Sequence, residues 1–304
     1  MSTTSLVVPL GRQGPGRLSA DAVARLELAL RQRAGGVLAG DHRTAGLGDA
    51  TELAQLRPYE AGDDVRRLDP AASARTAIPH VRLHVPERAV TTWLVLDVSA
   101  SMAFGTGERL KSDVAEGVAE VVTRLAVRRG GRIAVTTAGA EEPRLLRPQA
   151  GRGALATVRS LVREGVTPDG AAAPTEPAGL AAALTRVSRL ARARGIVVVV
   201  SDFRDEGWRS PLRRLAARHG VLAVEVLDPR EGELLDAGTL VLVDPETGEE
   251  VEVDTGSPQL REAFAAAEAE RRAAVATELR RAGADRVVLG AERDWLRDLG
   301  RGLR

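Results

Sequence analysis

Apolar positions in the last two-thirds of the chain fall into short runs that alternate with longer segments of helical spacing. Thr92–Asp97, Arg132–Thr137, Ile196–Ser201 and Val221–Leu227 are mostly apolar runs of strand length, and the first and third predict strands buried on both faces. Segments with helical periodicity lie between and beside them: 108–129, 154–163, 177–193 and 208–219. The alternation predicts a doubly wound α/β fold with a mostly parallel sheet.

The pattern adds smaller elements around this sheet. Residues 144–147 predict a short edge strand, and two strands at 240–243 and 250–253 flank the turn-rich DPETGE, which predicts a β-hairpin. A long helix over 258–282, a last strand over 286–289 and a closing helix over 294–303 complete the prediction.

The first third of the chain has a different pattern. It predicts one amphipathic helix from Ser19 to Arg33, turns at Gly62-Asp63 and Asp69-Pro70, and a strand over 80–86. We therefore divide the chain into an N-terminal helical extension (1–45), an Arg/Asp-rich segment that packs on the core (46–88), and the α/β domain (89–304) with its hairpin near 239–254.

Composition narrows the possible functions. Aromatic residues make up only 2% of the chain, so the core must be built from Ala, Val and Leu. The 43 basic and 42 acidic residues nearly balance, which gives no support for nucleic-acid binding. Cysteine is absent, which excludes thiolate metal sites. With no long apolar segment for a signal peptide or a membrane span, we expect a cytoplasmic protein.

Only one basic residue is a lysine, Lys111, and the sequence therefore holds many arginines. We interpret this bias as genomic composition rather than as an arginine-driven binding surface. Lys111 follows a segment that faintly resembles a phosphate-binding loop but lacks the glycine before the lysine. We expect it in the first turns of the helix after that loop.

The most informative chemistry follows two predicted strands. Asp97, Ser99 and Ser101 form the string DVSAS directly after the strand TWLVLD, and Asp202 follows the strand IVVVVS. Ligands of open parallel sheets bind outside the carboxyl ends of the strands, where both aspartates are expected. Carboxylate and hydroxyl oxygens suit Mg²⁺, which keeps several waters. Taken singly, each aspartate has an alternative role as a helix N-cap.

These motifs resemble a known family. DVSASM resembles the Asp-x-Ser-x-Ser motif of the metal-ion-dependent adhesion site in von Willebrand factor A domains, and SDF matches the later strand-end aspartate of that family. The wider context is similar to a bacterial branch, the domain of unknown function 58 family, from about Gly46 to about Asp254. The matching segments are RPYEAGDDVRRLDPAASART, LVLDVSASMAFGTGERLKSDVA, VVVVSDF and LDPREGELLDAGTLVLVDPETGEEVEVDT.

The resemblance implies a site and a partner. It implies Mg²⁺, with Mn²⁺ as the second candidate, held by Asp97, Ser99, Ser101, a loop threonine and Asp202. Strict register puts Ala178 where the threonine belongs, so Thr175 is the candidate; its alternative role is to cap the helix beginning near Pro177. The resemblance further implies binding to a MoxR-type AAA+ ATPase or its client, with a partner carboxylate on the metal.

We therefore expect a protein-interaction module rather than an enzyme, with no catalytic residue. Two alternatives stay open: a metal-dependent hydrolase or phosphatase, for which the sequence offers no general base beside the metal, and a metal-free scaffold with a degenerate site. The block from Asp63 to Asp69 favours either an internal ion-pair network or a partner surface.

Overall fold

The structure is a computed structural model, and the chain divides into two compact units. Gly35–Ala89 forms the smaller unit, and Met1–Ala34 with Val90–Arg304 forms the larger one. The structure describes residues 13–16, 18, 55–61, 63–83, 90–128, 130–140, 142–151, 153–165, 179–243, 250–291 and 294–303. The predicted helix over 19–33 lies outside these residues, and packing of segment 46–88 on the core stays a prediction.

The described residues of the smaller unit form a two-stranded antiparallel sheet, a short 3-10 turn and one α-helix. Strand β1 (Gln55–Pro58) pairs with β2 (His80–Leu83), and helix α1 (Pro70–Thr76) lies between them in the chain. The predicted turn at Asp69-Pro70 is wrong, because a helix begins there. Asp69 caps it by accepting a hydrogen bond from the Ala72 N–H at 2.9 Å, and proline suits the first helical position.

The acidic residues of the block from Asp63 to Asp69 have internal partners in this unit. Asp63 pairs with the Arg57 guanidinium at 2.6 Å, and Asp64 accepts a hydrogen bond from the Arg66 N–H at 3.0 Å. The ion-pair interpretation is thus confirmed for Asp63, whereas Asp64 and Asp69 serve as backbone caps.

The larger unit is built on one six-stranded sheet. Its order is β10-β7-β6-β3-β4-β5, and all neighbouring pairs are parallel except β4 with the edge strand β5. Its elements in chain order are β3 (Thr91–Asp97), α2 (Lys111–Arg128), β4 (Arg132–Ala138), β5 (Leu145–Gln149), α3 (Gly153–Gly165), α4 (Leu180–Leu190), β6 (Ile196–Ser201), α5 (Arg209–Ala216), β7 (Gly220–Leu227), β8 (Thr239–Val243), β9 (Glu250–Asp254), α6 (Pro258–Arg281), β10 (Asp285–Gly290) and α7 (Trp295–Gly302). The doubly wound α/β prediction is confirmed.

Two apolar clusters cover the two faces of the sheet. Helices α2, α3 and α7 pack on one face, and α4, α5 and α6 pack on the other. The central strands are buried on both faces, as continuous apolar runs predict. This burial leaves the strand ends as the places where polar chemistry can gather.

Most element boundaries agree with the predictions to within a few residues. The largest differences are three residues: α2 begins at Lys111 rather than at residue 108, α4 ends at Leu190 rather than at 193, and α5 ends at Ala216 rather than at 219. The hairpin β8–β9 is confirmed and forms a separate two-stranded sheet. No helix in the described part of the chain is long and apolar enough to cross a membrane.

Candidate functional site

The sheet reverses its strand order between β3 and β6. From β3 the chain winds outward through β4 and β5, and from β6 it winds the other way through β7 and β10. The two strands are parallel neighbours, with Leu96 opposite Val200, so Asp97 and Ser201 end at the same rim. This switch point is where doubly wound folds bind their ligands.

The Asp97 carboxylate is held by three hydrogen bonds. Its Oδ1 accepts from the Ser99 N–H at 3.0 Å and from the Ser99 hydroxyl at 2.7 Å, and its Oδ2 accepts from the Ser201 hydroxyl at 2.5 Å. The Ser99 and Ser101 hydroxyl oxygens lie 3.1 Å apart. The three side chains of the Asp-x-Ser-x-Ser motif therefore meet at one point.

Backbone geometry holds this loop in place. The Val98 N–H donates to the Ala138 carbonyl at 2.9 Å, which ties the loop to the end of β4. Gly139 follows with a φ of +77°, and a Cβ there would lie 2.5 Å from the Ser99 Cβ. Only glycine suits both the left-handed backbone and the close approach of the serine.

Asp202 completes the cluster but has different partners. Its Oδ2 lies 2.7 Å from the Lys111 ammonium, and its Oδ1 accepts from the Arg204 N–H at 3.1 Å. The Ser101 hydroxyl also hydrogen-bonds to Asp202, so this serine links the two strand ends. Asp97, Ser99, Ser101 and Asp202 are thus brought together as predicted, whereas Thr175 lies outside the described residues.

Lys111 is the residue that sequence reasoning missed. It is the first residue of α2, and its side chain is fully buried (0% exposed) between Asp202 and Glu231. A buried ammonium is stable only with paired carboxylates, and here it has two. The available signal was that Lys111 is the one lysine in an arginine-rich chain. Arginine is a poor substitute for it here, because a guanidinium is larger than an ammonium and has a different shape.

Glu231 is positioned for this contact by a turn after β7. Asp228 caps that turn by accepting from the Arg230 N–H at 2.9 Å, and Glu231 accepts in return from the Asp228 N–H at 3.2 Å. The second oxygen of Glu231 contacts Lys111. Asp228 also accepts from the Thr106 hydroxyl at 2.6 Å, which fixes the loop before α2.

The two aspartates differ in their pKa values. Burial, reinforced by the neighbouring Asp202 carboxylate, raises the pKa of Asp97 to about 7. Burial acts on Asp202 in the same direction, but the Lys111 ammonium outweighs it and holds the pKa of Asp202 below its usual value. Asp97 is therefore the carboxylate whose negative charge is poorly compensated.

Ser201 also positions the segment that follows Asp202. Its oxygen accepts from the Phe203 N–H at 2.9 Å while its hydroxyl donates to Asp97. Phe203 has a left-handed φ of +54°, and its ring meets Trp208 edge-on with ring centroids 5.1 Å apart. A cavity of about 370 Å³ lies along this segment, between residues 203–209 and α6.

The oxygen set fits a hard, hydrated cation. The Asp97–Ser99 and Ser99–Ser101 oxygen separations of 2.7 and 3.1 Å are close to the roughly 3 Å edge of an Mg²⁺ octahedron. Within the described residues no group of three or more His, Cys, Asp and Glu side chains could hold a metal ion. Any cation here would therefore depend on hydroxyls and water, as Mg²⁺ tolerates.

Comparison with known proteins identifies relatives along most of the chain. A family model described as "Protein of unknown function DUF58" matches residues 55–274. Uncharacterized proteins of Mycobacterium bovis and Mycobacterium tuberculosis are each 42% identical over 289 residues, covering 93% of this chain and 88% of the relative.

Solved structures with similar folds share little sequence with this chain. A conserved hypothetical protein, BatB from Bacteroides thetaiotaomicron, overlaps 71% of this chain and 97% of its own at 12% identity, with a TM-score of 0.45. A von Willebrand factor type A protein from Catenulispora acidiphila overlaps 71% of this chain and 43% of its own at 13% identity, with a TM-score of 0.38. The doubly wound fold follows from the strand order of this chain itself, in which both aspartates lie at the point where the order reverses.

Proposed function

Because the chain belongs to the family described as protein of unknown function DUF58, we propose that it is a protein-interaction module that uses one hydrated divalent cation. Mg²⁺ is the first candidate and Mn²⁺ the second. The main support is Asp97, a buried carboxylate that accepts three hydrogen bonds but has no cationic partner among the described residues. Burying an unpaired negative charge is unfavourable, and a bound cation would relieve it.

Each residue of the cluster has a proposed role. Asp97, Ser99 and Ser101 would hold the cation directly, since their side-chain oxygens lie together at the end of β3. Asp202 would act through water, because Lys111 occupies its Oδ2. When bound, the cation supplies a position for a carboxylate of the partner protein. Thr175 stays a candidate ligand from the sequence.

We propose binding rather than catalysis at this rim. Asp202 and Glu231 are engaged with Lys111, so neither is free to transfer protons. The proposed partner is a MoxR-type AAA+ ATPase or its client, and the support for it is the family resemblance. Turnover of a generic phosphoester with Mg²⁺, lost on Asp97→Asn, would favour the hydrolase alternative instead.

One observation favours a second candidate, a scaffold that needs no metal. The Lys111 ammonium already places a cation beside Asp202, which reduces the negative charge of the cluster. In this case the rim would be a fixed structural network, and a raised pKa of about 7 would leave Asp97 about half protonated near neutral pH, which lowers its average negative charge.

Thermal unfolding of the full chain with 10 mM Mg²⁺ and with chelator tests the proposal. For a dissociation constant of about 1 mM, Mg²⁺ would stabilise the fold by about 1.4 kcal/mol. For a unit of this size that raises Tm by about 3–6 °C. Asp97→Asn should lose this increase because it removes the negatively charged ligand.

Glu225→Gln is the matched control. Glu225 is also a fully buried carboxylate at the carboxyl half of a central strand, but it pairs with Arg286 rather than with the serine loop. The control should keep the Mg²⁺-dependent increase in Tm. An unsubstituted protein whose Tm is the same in Mg²⁺ and in chelator would count against the metal and favour the scaffold.

A further inference from the structure

The hairpin β8–β9 has two chemically different faces. Leu240 and Leu242 lie opposite Val253 and Val251, which makes one face wholly aliphatic. Because side chains alternate along a strand, Glu250, Glu252 and Asp254 share the other face with their partners Val243, Val241 and Thr239. The hairpin thus carries one aliphatic face and one mixed face, and the β9 side of the mixed face is acidic.

This aliphatic surface is poorly covered. Leu242 is 37% exposed and Val251 is 51% exposed, whereas the central strands β3, β6 and β7 of the main sheet are almost completely buried. The hairpin forms a sheet of two strands only, and no other described element packs extensively on it. An isolated two-stranded hairpin is marginally stable in water, so a third strand or another covering surface would stabilise it.

The acidic side of β9 carries charge that no described basic residue balances. The sequence from Thr239 to Asp254 contains six acidic residues and no basic residue, in a chain whose net charge is +1. Glu250 and Glu252 are exposed, and no described arginine or lysine pairs with them. Both lie on β9, whose edge away from β8 pairs with no other described strand and therefore combines open backbone groups with negative charge.

From this geometry we propose that the outer edge of β9 is a docking site for an extended segment of a partner protein in which apolar and basic residues alternate. Such a segment would add a third strand through backbone hydrogen bonds. Its apolar side chains would extend the face of Val251 and Val253, and its basic side chains would lie beside Glu250 and Glu252.

The same charges disfavour a second copy of this chain as the occupant. Pairing β9 with β9 of another copy would place acidic residues beside acidic residues on one face, and like charges in cross-strand positions are destabilising. A partner with basic residues in these positions would instead form favourable cross-strand charge pairs. The occupant is therefore a different protein, and its binding does not depend on a cation at Asp97.

Binding of labelled eight-residue peptides, measured by fluorescence anisotropy in chelator and about 0.15 M salt, tests the docking site. The first peptide alternates arginine with valine or threonine, and the second has the same composition with its four arginines in one block. The alternating peptide should bind about tenfold more tightly. A third, alternating peptide with N-methyl groups along one backbone edge should lose this advantage, since it cannot complete strand pairing.

A second test reverses the charge of the two exposed glutamates on β9. The double variant Glu250→Arg with Glu252→Arg should weaken binding of the alternating peptide about tenfold or more, because favourable pairs become repulsive. Glu262→Arg with Glu270→Arg reverses the same number of exposed charges on α6 and should leave binding unchanged. Asp97→Asn should also leave binding unchanged, which separates this proposal from the metal proposal.

Three results would overturn the docking site. One is equal binding of the alternating and block peptides, and another is unchanged binding by the Glu250/Glu252 variant. The third is concentration-dependent self-association in sedimentation experiments that Val251→Glu abolishes, because the occupant would then be a second copy.

Discussion

The ends of β3 and β6 are neighbouring regions of the same rim, and both carry a buried aspartate, yet their electrostatics are opposite. Asp97, at the end of β3, accepts hydrogen bonds from serines and has its pKa raised to about 7. Asp202, after β6, contacts the Lys111 ammonium, which holds its pKa below the usual value against the effect of burial. The two carboxylates are equally buried, so their partners decide their charge.

This difference would let one rim be both stable and able to bind the proposed cation. The β6 side supplies a permanent ion pair that fixes the local structure, and the β3 side leaves a carboxylate with hydroxyl neighbours. If Lys111 lay beside Asp97 instead, the serine oxygens would face an ammonium. The position of one lysine therefore separates the structural half of the rim from the proposed binding half.

Of the substitutions that test this difference between the two strand ends, removal of Lys111 should have the largest effect on stability. Lys111→Met leaves Asp202 and Glu231 buried without their cation, and breaking a buried pair in this way costs about 3–5 kcal/mol. The free energy of unfolding in chelator, measured by urea denaturation, checks this expectation. Stability should be partly restored by Mg²⁺, because Asp202 would then be free to approach the cation.

Lys111→Arg is the control that separates the effect of the positive charge from the effect of side-chain shape. It keeps a permanent positive charge but must fit a larger guanidinium into a fully buried space, so we expect a smaller loss of about 1–3 kcal/mol. A Met variant as stable as the unsubstituted protein would show that Asp202 does not need the ammonium. If the Met variant does not fold while the Arg variant does, the need for the charge is established.

The pH dependence of stability should show that Asp97 behaves oppositely to Asp202. Its folded-state pKa of about 7 lies above its ordinary value of 3.8, so the stability that it contributes is present below about pH 4 and is lost as pH rises through 7. Without divalent ions, the unfolding free energy of the protein relative to Asp97→Asn should therefore fall on the order of 2–4 kcal/mol between pH 4 and 8. Urea titrations across this range measure the difference.

Asp202→Asn should show the reverse pH profile. Because the pKa of Asp202 is lowered in the fold, its contribution is present above its unfolded-state pKa and is lost as pH falls through its folded-state pKa. If both asparagine variants changed stability with pH in the same direction, the contrast between the two strand ends would be wrong.

The smallest expected effect comes from the hydroxyl that donates to Asp97. Ser201→Ala removes the 2.5 Å hydrogen bond and should destabilise the fold by about 1 kcal/mol while raising the pKa of Asp97 further. Thr123→Val is the control, since its buried hydroxyl donates to the Ala119 carbonyl at 2.7 Å, away from the rim. Both should lower Tm, but only Ser201→Ala should move the pH profile upward.

The central strands were predictable because their patterns carry strong physical meaning. Continuous apolar runs such as Ile196–Ser201 are stable only when buried on both faces, and that requires a parallel sheet covered by helices. Asp69-Pro70 was not predictable in the same way, because the same two residues suit a turn and the start of a helix. In α1 the seven residues are too few to show a clear helical period.

The candidate site was predictable only in part. Asp97, Ser99 and Ser101 lie close together in sequence, and Asp202 follows a strand, so their meeting follows from sheet geometry alone. Glu231 could not be assigned, because its position depends on the turn that Asp228 caps after β7. Its role as a partner of Lys111 is visible only once three separate loops are in place.

By itself, the sequence determined that strand ends would gather two aspartates and two serines at one rim, because hydrophobic burial dictates where apolar runs go and polar residues must follow at their ends. Only the tertiary structure decided which aspartate received the lysine. That contact joins residues 91 positions apart, and it depends on the direction in which α2 begins relative to β6. Charge compensation in a buried site is a property of distances between side chains, and no local pattern in the chain encodes those distances.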